Sequence, residues 1–286
     1  MHADSHFVIG AEHHRKVIPC QDHADGASLP GGAAFATVSD GCSTGGDTDK
    51  GARVQTASTA QALRQHWGSA RTTDNSVVDK IAMQQRLTAA TAAATLGYRH
   101  NDMLATSLYA FLSPDGGFAH IQGDGVVAWK YSDGRVGATR YEWNRNAPFY
   151  PAYVDDNYRE FTAFHGGNVN AVALTAETWE QPTPGAELEL VRIDEYTISQ
   201  GIQGPVRVLP SGLRFVAVLT DGATQIDGLD WKQAIVMLMD FGAAVKGSFA
   251  KRQMSWFVQE VMKRGNGPVD DLAFAVIDCE GEEGTR

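Results

Sequence analysis

The chain has 286 residues and a hydrophobic content of 43%, enough for a substantial core, and no linker or composition break divides it; a single domain over 1–286 is expected. A net charge of −10 argues against nucleic acid or an anionic membrane as the main partner. A phosphorylated substrate stays open, because bound divalent cations can reverse a local field.

In chain order, the opening "MHADSHFVIGAEHHRK" has no apolar core of signal-peptide length, and nothing later forms an uninterrupted membrane span. Phe7 to Val38 reads as two short strands joined by a loop containing "DHADGASLPGG". Two helical patterns follow. "GARVQTASTAQALRQHW" sets Ala57, Ala60, Leu63 and Trp67 on one face, and "VVDKIAMQQRLTAATAAATLGY" is alanine-rich with apolar residues at helical spacing. "ATSLYAFLSPDGGFAHIQGDGVVAWKYSDGRV" alternates between Asp-Gly turn signals and reads as a three-stranded antiparallel meander. Residues 141 to 170, rich in aromatics, Asn and Pro, read as a surface excursion. "LELVRIDEYTI" and "LRFVAVLTDG" are strand-like, "DWKQAIVMLMDFGAAV" and "SFAKRQMSWFVQEVMKR" helical, and "DDLAFAVIDC" a closing strand. The Met and Trp residues of "MLMDFGAAV" and "MSWFVQEVM" are expected in the core. Strands and helix pairs are segregated, so the expected class is α+β, with antiparallel sheets covered by helices. Cys20, Cys42 and Cys279 are isolated, without CxxC spacing, and point to a reducing cytoplasm rather than to disulfides or zinc.

The chemistry-bearing residues are acids at strand ends. Asp40 follows "FATVS", Asp124 sits in "QGDGV", Asp221 follows "FVAVLT", and Asp270 and Asp271 precede "LAFAVI". Asp22 stands in "PCQDH". One Asp-Gly is ordinarily a turn. Several acids at the ends of apolar strands cluster in space, repel one another, and are reconciled by a hard cation such as Mg²⁺ or Mn²⁺. The glycine after Asp40 would expose a carbonyl for ligation.

Two other motifs fail on context. Gly41-Cys42-Ser43-Thr44-Gly45 fits the serine-hydrolase G-x-S-x-G pattern, but no histidine follows His165, and "TGGDTDKGA" is too long for a tight elbow. "DGCSTGGDTDKG" lacks the acidic spacing and closing Glu of a calcium loop.

Taken in order, these segments resemble the metal-dependent protein serine/threonine phosphatases of the PP2C type. "PCQDH" is similar to that family's first acidic motif, "VSDGCS" to its central Asp-Gly, and "GARVQTA" to the helix start that follows. "MLATSLYAFL", "IQGDGVVAW", "VLTDGATQ" and "VDDLAFAVI" resemble its later motifs, so the likeness runs from about residue 8 to 278. "GAEHHRKVIPCQD" with "SDG" resembles a bacterial branch in particular. The resemblance implies a four-layer αββα sandwich, two antiparallel β-sheets flanked by helix pairs. It also implies two Mn²⁺ or Mg²⁺ ions with a place for a third, and in-line attack of an activated water on phosphoserine or phosphothreonine of a phosphoprotein substrate. Asp40 would bridge two metals with the Gly41 carbonyl on one, Asp221 and Asp270 would complete the other, and Asp22 would act largely through water. Asp124, with Asp221, would serve the third ion.

The chain departs from the family pattern in places. Gln21 stands where many relatives carry Glu, so one metal ligand becomes a neutral amide. Cys42 takes the place of a histidine proposed as general acid, which leaves water, His13 or His14 as alternatives. The segment His13, His14, Arg15 and Lys16 reads either as a solvated strand edge or as phosphate capture, with Arg15 and His13 the candidate phosphate-binding residues and Lys16 behind them. Asp124 lacks the usual Ser-Arg after it, and the 141–170 excursion lies where relatives carry a variable flap. The alternatives to a protein phosphatase are a catalytically weak domain that binds metal or a phosphoprotein, and a phosphatase of small phosphate esters.

Overall fold

A computed structural model describes residues 1–68, 75–242 and 245–280. In chain order the elements are β1 (His2–Val8), α1 (Ala11–Lys16), β2 (Asp22–Ser28), β3 (Ala34–Asp40), α2 (Thr48–His66), α3 (Asn75–Leu96), β4 (Ser107–Ser113), β5 (Gly116–Gln122), β6 (Gly125–Tyr131) and β7 (Val136–Trp143). There follow α4 (Arg159–Phe164), β8 (Val172–Glu180), β9 (Glu189–Thr197), α5 (Ile198–Gln203), β10 (Val206–Val208), β11 (Leu213–Leu219), α6 (Trp231–Leu238), α7 (Phe249–Lys263) and β12 (Leu272–Asp278).

Among the described residues twelve strands form two sheets, ordered β1-β12-β11-β6-β7-β8-β9 and β10-β5-β4-β3-β2, with antiparallel pairing throughout. Because strand side chains alternate, each central strand serves two cores. On β3, Ala36 and Val38 face the opposite sheet, where they meet the same core as Val216, Val218 and Ala275. Phe35, on the other side, packs with Leu63 of α2 and Ile81 of α3. On β12, Phe274 and Val276 pack outward against α6 and α7 through Leu238, Met254 and Phe257. The result is the expected αββα sandwich, with an apolar core between the sheets and one beneath each helix pair.

Local expectations fared unevenly. "DHADGAS" is a strand, not a loop: it pairs with β3 from Asp22↔Asp40 to Ser28↔Ala34. The segment from Ala11 to Lys16 is a short helix, not a strand edge. The supposed meander is split, since β4 and β5 lie in the five-stranded sheet and β6 in the seven-stranded one, so Gly123-Asp124-Gly125 is where the chain changes sheets. On α2, Ala57 faces solvent, while Ala52, Thr56, Ala60 and Leu63 form the buried face. The helix expected from Asp230 stops at Leu238, and positions 243 and 244 of that expectation lie outside the described residues. β8 was not foreseen.

The 141–170 excursion lies only partly at the surface: positions 144–146 and 166–170 are exposed, but most of its aromatic residues are not. Phe149 and Phe161 are fully buried, and Tyr150 and Tyr153 nearly so, in the core between the sheets. The Phe161 ring meets Trp143 and Phe149 edge-on, with centroids 5.1 and 5.2 Å apart. Such pairs add specific geometry to the burial of large apolar area.

Candidate metal centre

All six acids singled out from the sequence come to one end of the sandwich, where β3, β11 and the β5–β6 crossover finish and β2 and β12 begin. Asp40, the last residue of β3, continues the inward face of Ala36 and Val38, directly across from Asp22. Its backbone is held by Thr106, which donates its N–H to the Asp40 carbonyl (2.8 Å) and accepts the Asp40 N–H on Oγ1 (2.9 Å). Gly41 N–H donates to the Gln21 carbonyl at 3.1 Å. A Cβ at position 41 would lie 2.6 Å from the Thr48 carbonyl oxygen, so the approach of α2 to this turn requires glycine. Ser43 lies in the loop leading to α2, as its context suggested.

The second sheet brings the other acids. Thr220, at the end of β11, donates to Asp22 Oδ2 at 2.6 Å and accepts the Ala273 N–H at 2.9 Å, tying the two sheets together beneath the site. Asp221 follows it, with one carboxylate oxygen accepting from Gln225 Nε2 at 2.8 Å. Asp124 sits between Gly123 and Gly125, whose φ values of 116° and 135° suit the sharp change of sheet.

Electrostatically these carboxyls behave as one unit. Burial pushes Asp40 well above the usual carboxylate range, and Asp22, Asp221 and Asp124 add to the shift. Asp22 is raised by burial, against contacts with Asp40 and Thr220 that favour its charge. Asp124 is raised by burial and then by Asp221. Asp221 is pushed up to about 6 by burial and by Asp270. Four acids that disfavour their own ionisation, Asp22 and Asp124 buried and Asp40 and Asp221 half-buried, are what a cation site looks like without its counter-charge. Two oxygens sharpen the point: Asp124 Oδ1 and Gln21 Oε1 are buried and have no hydrogen-bond partner.

Asp271 belongs to a different arrangement. Its carboxylate accepts from Gly10 N–H (2.7 Å), Gln21 N–H (2.5 Å) and His13 Nδ1 (2.8 Å). Among the described residues, His13, Asp270 and Asp271 form a group whose ligand atoms all lie within 4.8 Å of one another. With Asp271 occupied by three donors, Asp271 and His13 read as a structural knot rather than as cation ligands, and Asp270 is the member of the group outside that knot. His13 is therefore not placed for the phosphate capture expected of it: it is buried, with Nδ1 spent on Asp271. Arg15 stands 72% exposed beside Glu12, and Lys16 binds the same glutamate. Arg15 lines a separate cavity with Asn266 and Val269.

Sequence reasoning missed three neighbours of the site. Tyr150, buried, contacts the Cys42 thiol, and Asp40 and Asp124 lie close enough to raise its phenol further. Arg140 and Asn146 line a cavity of about 250 Å³ together with Asp124, Asp221, Glu142 and Gln225. The alternation of "VGATRYEW" would have put Arg140 on a sheet face, but only the sheet order shows that β7 lies two strands from β11.

A family profile described as protein phosphatase 2C matches residues 9–259, a span that stops short of Asp270. Among curated proteins nothing matches. The fold is similar to that of an S. agalactiae serine/threonine phosphatase (15% identity, TM-score 0.51, 96% of this chain and 97% of that one). It is also similar to a bacterial serine phosphatase (11% identity, TM-score 0.50, 99% of each chain). A C. elegans sex determining protein matches with TM-score 0.53 at 12% identity, over 96% of this chain and 64% of that one. At these identities the structural likeness is one of fold alone. The sequence match is what carries kinship, and because it runs through most of the sandwich, from the turn before α1 into α7, the chain belongs to the protein phosphatase 2C family.

Proposed function

We propose that this chain is a Mn²⁺- or Mg²⁺-dependent phosphomonoesterase that removes phosphate from phosphoserine or phosphothreonine in proteins. The observation that carries the reading is the set of buried and half-buried, mutually repelling carboxyls at the sandwich end, with Asp124 Oδ1 and Gln21 Oε1 left without partners. The donors are all oxygen, which suits a hard cation. Asp40, with the Gly41 carbonyl, Asp221 and Asp270 would hold two ions, Asp22 and Gln21 would complete their surroundings, and Asp124 with Asp221 would serve a third. When bound, such ions supply activation of water and neutralise charge on a phosphoryl group.

The chain's own residues do the positioning. Thr220 turns the Asp22 carboxylate, Gln225 fixes one oxygen of Asp221, and Thr106 holds the Asp40 backbone, so the cluster is pre-organised. Tyr150 and the aromatic plug of 141–170 keep water from the inner side of the site, the part we assign to a flap. We place the activity in a reducing cytoplasm, in keeping with three free cysteines, and within a single domain over 1–286. Among the described residues no helix is long and apolar enough to cross a membrane.

The test is phosphate release from a phosphothreonine peptide with Mn²⁺, with Mg²⁺, and after chelation. Release that needs the cation and is abolished in Asp40→Asn, while that variant keeps a cooperative melt, supports the reading. Near-normal cation-dependent release by Asp40→Asn would remove Asp40 from the centre of the site, and no release by the wild type with either ion would favour a binding domain.

A further inference from the structure

We propose that Arg140 is the residue that binds the substrate's phosphoryl oxygens, from the β7 side of the site, in the place that the sequence suggested for Arg15. This rests on the reading of the site as a cation-dependent phosphatase centre.

The cavity of about 250 Å³ beside Asp124 and Asp221 carries a single cationic side chain, Arg140. Arg140 pairs across strands with Val126, next but one to Asp124. Arg140 and Asp221 line the same cavity, so the guanidinium and that acid face a common space. Arg140 is held in place by Glu142 at 2.8 Å and by the Trp231 ring, whose centroid is 5.8 Å from the guanidinium carbon. The side chain is 27% exposed, open enough to meet a ligand.

The cavity therefore offers two kinds of recognition side by side. Asp124 contributes a buried, unpartnered carboxylate oxygen that suits a cation, and Arg140 a planar fork that suits a phosphate. A ligand joining the two is a phosphoryl group resting on bound cations. Glu142, 61% exposed, is a weak competitor for the guanidinium, because a solvated ion pair contributes little and is readily exchanged. Asn146, in the left-handed region at φ 49°, lines the same cavity with an amide. Arg15 has none of this: it is largely solvated on α1, over a cavity that contains none of Asp40, Asp124 and Asp221.

The experiment is calorimetric titration of inorganic phosphate into the Mn²⁺-loaded full chain, comparing wild type, Arg140→Ala, Arg140→Lys and Arg15→Ala, with Mn²⁺ affinity measured on each. The expected result for Arg140→Ala is phosphate binding weakened about tenfold or more, with Mn²⁺ affinity unchanged or tighter. Arg140→Lys, which keeps the charge over Trp231, should fall between, and Arg15→Ala should match wild type. On the phosphothreonine peptide, Arg140→Ala should raise KM more than it lowers kcat. Equal phosphate affinity in wild type and both Arg140 variants, or a loss in Arg15→Ala instead, overturns the assignment while leaving the metallophosphatase reading intact. A wild type that takes up no Mn²⁺ overturns that reading, and this inference with it.

Discussion

Asp271 and Asp124 lie at the same end of the sandwich and are buried to a similar degree, 2% and 7% exposed, yet they are used in opposite ways. Asp271 accepts three hydrogen bonds and joins the β1–α1 turn, α1 and the start of β2 to the start of β12. Asp124 has an oxygen with no partner and neighbours of its own sign. Burial of a carboxylate is costly either way. On the β1–β12 side the protein offsets it with its own donors; on the β6–β11 side it does not, and in the proposed reading a bound cation would. Satisfied acids build the frame, and unsatisfied acids mark the site.

The contrast breaks or holds on mutation. Asp271→Ala strands the Gly10 and Gln21 N–H groups and the His13 ring, and should destabilise the fold by about 3–5 kcal/mol in denaturant titration. Asp124→Asn, which removes a buried charge without partners, should leave the denaturation midpoint unchanged or raise it while weakening Mn²⁺ binding. If the two substitutions cost the same stability, the division between frame and site fails.

A smaller effect should appear with pH. In the cation-free protein Asp221 titrates at about 6 against an ordinary 3.8, so between those values the folded state holds a proton that the unfolded chain has released. Stability must then fall as pH rises through that window, with the full penalty present above it, and Asp22, Asp40 and Asp124, raised in the same direction, add to the fall. Melting temperatures of the chelated protein should decline across this range, and saturating Mn²⁺ should remove the slope. A chelated protein whose stability rises with pH would show that these acids are not the repelling cluster described. The smallest change is Gln21→Glu. A carboxylate there should tighten Mn²⁺ binding, and it should lower the stability of the cation-free protein by adding one more buried charge. Both are measurable on one sample by calorimetry and thermal melts.

Much of the frame was legible in the sequence because its signals are local. The helical spacing of α2 and α3 and the apolar runs of β3, β11 and β12 each sit within one element, and the acids flanking those runs followed from them. What was missed depends on partners far away in the chain. "DHADGAS" looks like turns residue by residue and becomes a strand through its pairing with β3. The aromatics from Phe149 to Phe161 lack periodicity because they fill a gap between sheets rather than cover one face of an element. Asp270 and Asp271 are adjacent and identical in type, and only contacts with Gly10, His13 and Gln21 separate the frame acid from its neighbour. Arg140 was invisible for the same reason, since nothing near it in sequence announces Asp221.

The position of β12 sets a timetable for assembly. It lies inside the seven-stranded sheet between β1 and β11, and Asp271 reaches back across 261 residues to Gly10. Contacts so distant in sequence slow folding, since the intervening chain must be ordered before they form. During synthesis, which presents the chain from its N-terminal end, Asp22, Asp40, Asp124 and Asp221 all emerge before the strand that completes the seven-stranded sheet. A nascent chain therefore carries nearly every acid of the proposed site in an unfinished frame, and on that reading the competence to hold cations would arrive in one late step rather than by increments.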